Sequence, residues 1–169
     1  MSDIDELRDA PTDLVWKTIA AEGVAMVGTP DLTRPMRPMS VHASAEECAI
    51  WFIVHAGSDF ATEVGEGGPS RLVVTTRDGR IQVSLTGRIE PSRSALHVDR
   101  FWSPMVGTWF DRGRDDPAVM LMRFTPQSGK IWVASGGILA VGWDVAVAAL
   151  TGEKPDLGAS ADVVFAAKI

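Results

Sequence analysis

The chain has 169 residues, 46% of them apolar and 22% charged, with a formal net charge of −6 at pH 7. That is an ordinary globular composition, and the length favours one domain with a real core, here residues 1–169. The acidic balance without a lysine or arginine tract argues against a nucleic-acid partner, and no apolar run reaches the roughly 20 residues that cross a bilayer.

Taken in order, MSDIDELRDA is acidic and lacks an apolar signal region, so export is not expected. Thr12 or Asp13 caps a helix running to about Ala21, and Gly23 ends it. Val24–Gly28 is the first strand, and Thr29-Pro30-Asp31 turns into Arg34-Pro35-Met36-Arg37-Pro38-Met39. A residue before proline is pushed into extended geometry, which predicts extended Arg34 and Arg37. Proline lacks a backbone donor, which suits an edge or bulged strand. A short loop, Ala43 to Glu47, leads into the uninterrupted apolar run Cys48–Val54, a strand buried on both faces. Cys48 is the only cysteine, which excludes an internal disulfide and fits a reducing cytoplasm. In that strand it reads as inert packing.

His55 to Phe60 turns the chain, and Ser58 or Asp59 caps a short helix to about Val64. Gly65-Glu66-Gly67-Gly68-Pro69 is a connector. It is no phosphate cradle, because Glu66 repels an anion and a strand, not a helix, follows. Leu72–Thr76 and Ile81–Ile89 form a hairpin about Asp78-Gly79. In its second strand Ile81, Val83, Leu85 and Ile89 alternate with Gln82, Ser84, Thr86 and Arg88, giving one apolar face and one polar face. Pro91-Ser92 starts a helix through about Phe101, and Ser103-Pro104 starts another segment to Phe110. Asp111–Pro117 is a charged, solvated loop. Val119–Phe124 and Lys130–Val133 read as a final hairpin around Gln127-Ser128-Gly129. Ile138–Thr151, with Asp144 its only charge, reads as a C-terminal helix over about 138–151 that is apolar all round, as expected of one buried against a partner subunit. About six strands with peripheral helices make this a mainly β chain, a small β-barrel.

The catalytic constellations that a sequence can display are missing. His42, His55 and His97 have neither close metal-ligand spacing nor a cysteine cluster, so no metal site is expected. There is no Gly-x-Ser-x-Gly elbow, Walker-type loop or Gly-x-Gly-x-x-Gly fingerprint. No catalytic residue is assigned, and any chemistry is expected to be carried by a cofactor.

Arg37-Pro38-Met39, then Trp51-Phe52, then Gly57-Ser58 resemble the flavin-binding split-barrel proteins related to pyridoxamine 5'-phosphate oxidase, in the branch of the bacterial general stress proteins. Downstream, Trp102-Ser103-Pro104, Trp109-Phe110 before Asp115-Asp116-Pro117, Ile131-Trp132 before Gly136-Gly137, and Leu150 to Gly158 continue the likeness, which covers about residues 12–158. The resemblance implies a six-stranded antiparallel Greek-key split barrel, a homodimer, and two sites for flavin mononucleotide (FMN) between subunits. It also implies site residues. Arg37, Pro38, Met39 and His42 belong to the segment lining the flavin, with Arg37 at the phosphate or ribityl end. Ile53 and Val54 approach from the next strand, and Ser58 stands where phosphate is held. Gln82 matches a flavin-contacting glutamine, and Trp132 an aromatic supplied by the partner subunit. For each of Arg37, Gln82 and Trp132 a plain surface or packing role stands beside the ligand role.

Two departures from the family pattern matter. Asp59-Phe60 replaces basic residues, so phosphate loses its cations and FMN binding is expected to be weak or lost. Val133 to Ile138 replaces the oxidase's arginine- and histidine-containing motif, so pyridoxamine phosphate oxidase activity is not expected. The leading reading is a cytoplasmic, FMN-binding general stress protein, a possible support for electron or hydride transfer. The rival is a split-barrel dimer without flavin, an interaction module or the holder of another ligand such as heme or a deazaflavin. Asp59-Phe60 favours the rival; Arg37, Gln82 and Trp132 favour the first.

Overall fold

A computed structural model describes residues 2–136 and 158–166, and the C-terminal helix expected over about 138–151 lies outside them. Two helices open the chain, α1 (Asp3–Asp9) and α2 (Pro11–Glu22). The sequence reading missed α1, although Ser2 and Asp5 form a reciprocal capping box at its start. It also began α2 late. Pro11 takes the first helical position, where its missing N–H costs nothing, and Gly23 ends the helix in left-handed backbone (φ 65°).

Among the described residues the strands are β1 (Val24–Gly28), β2 (Arg37–Ser40), β3 (His42–Ser44), β4 (Ala49–His55), β5 (Gly68–Thr75), β6 (Ile81–Ser92), β7 (Val119–Val133) and β8 (Ala159–Val164). Between them lie α3 (Asp59–Val64), α4 (Ala95–Phe101) and α5 (Pro104–Gly107). The strands follow one another as β2-β1-β5-β6-β7-β4-β3, every pairing antiparallel, with β8 added to β7. Only Val41 separates β2 from β3, yet β2 pairs with β1 and β3 with β4. One bent segment, Arg37–Ser44, therefore joins both ends of the sheet and curls it into a barrel. Val41 is buried in the bend, and its amide donates to the Gly23 carbonyl at 2.9 Å. Counting β2–β3 as one strand and leaving β8 outside gives the expected six-stranded wall.

Inside lie Phe52, Leu72, Leu85, Ile89, Phe124 and Ile131, all fully buried. The alternation read in β6 holds, with Ile81, Val83, Leu85 and Ile89 inward and Gln82, Thr86 and Arg88 exposed. Arg34 lies in a bend and only Arg37–Ser40 is strand. Cys48 is in the turn before β4, buried, in left-handed backbone (φ 47°).

Two further corrections share a cause. The helix expected from Pro91 begins at Ala95, because β6 runs on to Ser92. The hairpin expected around Gln127-Ser128-Gly129 is instead the middle of β7, fifteen residues without a turn. The register of β6 on β7 shifts between Thr86 and Gly87, which pair with Ser128 and Pro126, so Gln127 is the extra residue of a bulge. Proline is tolerated there, and Gln127 gives its carbonyl to the Phe165 amide at 3.0 Å. β8 was not anticipated either. It buries Val163, and beyond it Phe165 meets Trp16 edge-on at 5.5 Å.

Outside the barrel, α4 packs on β4 around Glu47. Trp51 Nε1 donates to its carboxylate at 2.7 Å, His97 Nε2 lies 3.1 Å away, and Arg100 Nη1 3.4 Å away. Ser94 Oγ stands 2.6 Å from His97 Nδ1, and the Trp51 ring stacks on the imidazole at 4.1 Å. The order hydroxyl, imidazole, carboxylate is that of a relay, but here it clamps a helix to a strand. Burial would raise the Glu47 pKa; bonds from His97 and Trp51 and the charge of Arg100 outweigh it and hold it below the usual value. His42 stacks on Phe101 at 4.5 Å, and covering of that ring face, with Arg100 nearby, lowers its pKa.

Two predictions follow from this packing. A Cβ on Gly87 would stand 2.2 Å from the Thr125 carbonyl oxygen, so Gly87→Ala should cost about 3 kcal/mol in urea unfolding; a change below about 1 kcal/mol would contradict the bulge geometry. The pH dependence is expected in two parts. The unfolded chain protonates His42 near about 6.5 while the folded ring resists, so stability falls as pH drops through that value. Glu47 stabilises above the unfolded carboxylate value of about 4.3, and its contribution is lost as pH falls through its lower folded pKa. Urea midpoints from pH 8 to pH 4 should show both declines, and His42→Gln should remove the first alone.

Candidate functional site

The bend at Val41 also opens the barrel wall. β3 stays hydrogen-bonded to β4 as far as His42 opposite Trp51, after which the segment leaves for β1. Ile53–His55 consequently lose their strand partner on that side, and α3, which follows β4, covers the end of the gap. The result is a cleft of about 400 Å³ lined by Arg37, Pro38 and Met39 from β2, Ile53, Val54 and His55 from β4, and Ser58, Asp59 and Phe60 at the start of α3. Six of the residues singled out from sequence, Arg37, Pro38, Met39, Ile53, Val54 and Ser58, thus meet in one place.

Arg37, the cation of the cleft, has partners that sequence reasoning did not find. Arg37 is mostly covered, its side chain 23% exposed, and its Nη1 donates to Glu63 Oε2 at 2.9 Å. Its guanidinium lies 5.3 Å from the centre of the Phe60 ring, a cation–π contact. Thr29 Oγ1 donates to the other Glu63 oxygen. Burial would raise the Glu63 pKa, but the hydrogen bonds of Thr29 and Arg37 and the charges of Arg37 and Arg34 hold it below the usual carboxylate range. Phe60 and Glu63 are three apart on α3 and so share a face. That spacing was readable; the link to Arg37 was not.

Ser58 is the N-cap of α3, its Oγ accepting the Ala61 amide at 3.1 Å. Asp59 is exposed in the first turn. His55 accepts the Gly57 amide on Nδ1 at 3.1 Å, and its ring is parallel to Phe110 at 5.9 Å. Of the other cations considered, Arg34 faces Asp31 at 3.9 Å. Arg71 lies on β5 opposite Gly28 and Thr86 and does not line the cleft.

The remaining singled-out residues lie elsewhere. Gln82 and Trp132 are cross-strand partners on β6 and β7. They line a second cleft of about 430 Å³ with Arg80, Val133, Ala134, Gly158, Ala159 and Ser160. Trp132 is 41% exposed. His42 belongs to the α4 packing and is held toward its neutral form, so it supplies no phosphate cation. A wider cleft of about 800 Å³ beside α4 carries Glu66, Glu90, Asp99, Asp115 and Asp116 against Arg93 and Arg114, the latter paired to Asp99, an acidic balance that opposes anions. Among the described residues, no group of three His, Cys, Asp or Glu is placed to hold a metal, and no helix is long and apolar enough to cross a membrane.

The sequence profile of the family "pyridoxamine 5'-phosphate oxidase like" matches residues 10–156. Among solved structures, a Jannaschia sp. CCS1 protein assigned as general stress protein 26 is 35% identical, with 90% of this chain and 99% of that chain covered and a TM-score of 0.73. A general stress family protein of Xanthomonas campestris pv. campestris is 24% identical, with 82% and 94% covered and a TM-score of 0.67. The general stress FMN/FAD binding protein of Xanthomonas citri is 22% identical, with 73% and 89% covered and a TM-score of 0.65. At the last two identities the likeness is one of fold. A comparison with curated proteins returns no match. With the barrel, its split wall and a profile match over most of its length, this chain belongs to the pyridoxamine 5'-phosphate oxidase-like family, on its general stress protein side.

Proposed function

We propose that this chain is a flavin-binding protein of the general stress type, acting as a cytoplasmic homodimer. In the dimer the split-wall cleft of one protomer faces the Gln82–Trp132 patch of its partner. The observation that carries the reading is the meeting of Arg37, Pro38, Met39, Ile53, Val54 and Ser58 in one opening. Met39, Ile53, Val54 and Pro38 form apolar walls suited to an isoalloxazine ring, and Arg37 and Ser58 are polar groups at the cleft. Trp132, half exposed on a strand, is the flat aromatic surface that a second face of such a ring requires. The FMN/FAD binding of the Xanthomonas citri protein supports the same ligand class.

A bound flavin would supply the hydride- or electron-accepting ring. The chain's own part is to bind and orient it: the walls exclude water, while the Arg37–Glu63 pair, stacked on Phe60, holds one boundary of the cleft rigid. No catalytic acid or base is assigned to the chain, and a flavin-dependent oxidoreductase of this kind needs none for a simple electron transfer. Pyridoxamine phosphate oxidation is not part of the proposal. One observation favours a second reading, a dimer without flavin serving as an interaction module or holding heme or a deazaflavin: the cation of the cleft is already paired to Glu63, and Asp59 stands beside it.

The test is a visible spectrum of purified protein, followed by flavin fluorescence titration and light scattering. The expected outcome is a dimer that binds flavin in the micromolar range. Trp132→Ala, a change at an exposed position, should weaken binding about tenfold, equivalent to about 1.4 kcal/mol, without lowering thermal stability. Arg37→Ala should weaken it at least as much and also destabilise the fold, since Glu63 is left without its ion partner. A monomer, or a protein that leaves flavin fluorescence unaltered at millimolar concentration, would overturn the proposal in favour of the second reading.

A further inference from the structure

We infer that this cleft selects flavins by the charge of their tail, and takes the uncharged ribityl form, riboflavin, at least as well as FMN. The inference rests on the flavin reading above and concerns which flavin the same site accepts.

A phosphate monoester brings nearly two negative charges and needs cations or free amides to receive them. The groups at the cleft do not meet that need, and Arg80, on the patch that faces it in the proposed dimer, is itself paired to Asp3 at 3.7 Å. Among the described residues Arg37 is the one lysine or arginine of the cleft lining, and that charge is cancelled by Glu63 at 2.9 Å. Glu63 itself is held ionised by Thr29 and Arg37, so the pair is a settled ion pair and not a guanidinium awaiting a ligand. Asp59 then gives the set Arg37, Glu63 and Asp59 a net charge of −1. His55 has one ring nitrogen committed as acceptor to the Gly57 amide.

The helix start does not compensate. α3 has six residues, too few for a developed dipole, and the carboxylate of Asp59 occupies its first turn. The Ala61 amide, one of those a phosphate would seek there, is already taken by Ser58 Oγ. His42, which might have stood in as a cation from sequence, lies under α4.

The same groups suit a polyol. Ribityl hydroxyls are neutral and each can donate as well as accept. Asp59 is an exposed carboxylate in the lining of the cleft, and a hydroxyl-to-carboxylate bond is among the stronger hydrogen bonds. Ser58 Oγ, though it accepts the Ala61 amide, keeps its own proton to donate. What repels a phosphate dianion therefore binds a sugar-alcohol chain.

The experiment is a parallel titration of the full-length protein, freed of any flavin, with riboflavin and with FMN by fluorescence quenching. The expected result is a riboflavin Kd equal to or below that of FMN. Asp59→Lys should move the ratio toward FMN by about tenfold or more, with Asp59→Asn between the two. FMN bound more tightly than riboflavin by the unaltered protein would overturn this inference and leave the flavin site standing. Failure to bind either would overturn both. The comparison on the unaltered chain decides the matter even if a variant does not fold.

Discussion

The structure depends on one bent segment. Arg37–Ser44 serves two neighbours, β1 through its first half and β4 through its second, with Val41 buried at the change. A strand has two hydrogen-bonding edges, and each half of this one can satisfy only the neighbour it lies beside. Closing the sheet at β1 therefore obliges the wall to open at Ile53–His55. Barrel closure and cleft are two consequences of the same backbone choice. Pro38 is accommodated in β2, at the end of the strand path, where a position without a hydrogen-bond donor costs least.

The second organising interaction is the Arg37–Glu63 pair. A partly buried guanidinium left alone is costly, and breaking such a pair by removing one partner typically costs about 3–5 kcal/mol. Glu63 reaches Arg37 because α3 follows β4 directly, and the i, i+3 spacing sets Phe60 beneath the guanidinium as its platform. Thr29, in the turn after β1, completes the set. Three separated stretches of chain are thus tied at the mouth of the cleft. This fastening gives the cleft a rigid wall and reduces the positive charge its arginine can present to a ligand.

The family relationship and the local electrostatics point in different directions, and each governs a different scale. Likeness to general stress proteins extends over most of the chain and accounts for the barrel, its strand order and the placing of the cleft. The charge on the cleft is set by a few side chains, the Arg37–Glu63 pair and Asp59, and Asp59 is exposed, where the barrel tolerates either sign. Fold and ligand preference can diverge for that reason. The separation of Gln82 and Trp132 from the Arg37 cleft has a similar logic. They lie on the polar face of β6 and the neighbouring part of β7, and meet the cleft only in the proposed arrangement of two protomers.

Much was legible from residues alone. Period-2 alternation identified β6, the unbroken apolar run identified β4, Asp78-Gly79 marked its turn, and Ser58 announced α3, because each of these signals is local and strong. Motif order placed the family. Tertiary structure decided where local signals compete. Pro126 to Gly129 has turn chemistry, yet β6 pairs across it and converts the turn into a bulge, since a ladder of hydrogen bonds on both sides outweighs a local preference. Val41 carries no sign of a bend; only the demand that both sheet ends find partners creates it. The sequence by itself determined the barrel, the family and the residues around the opening. Which charges neutralise one another there, Glu63 on Arg37, was decided by folding, because electrostatics depends on distance in space and the two residues are far apart along the chain.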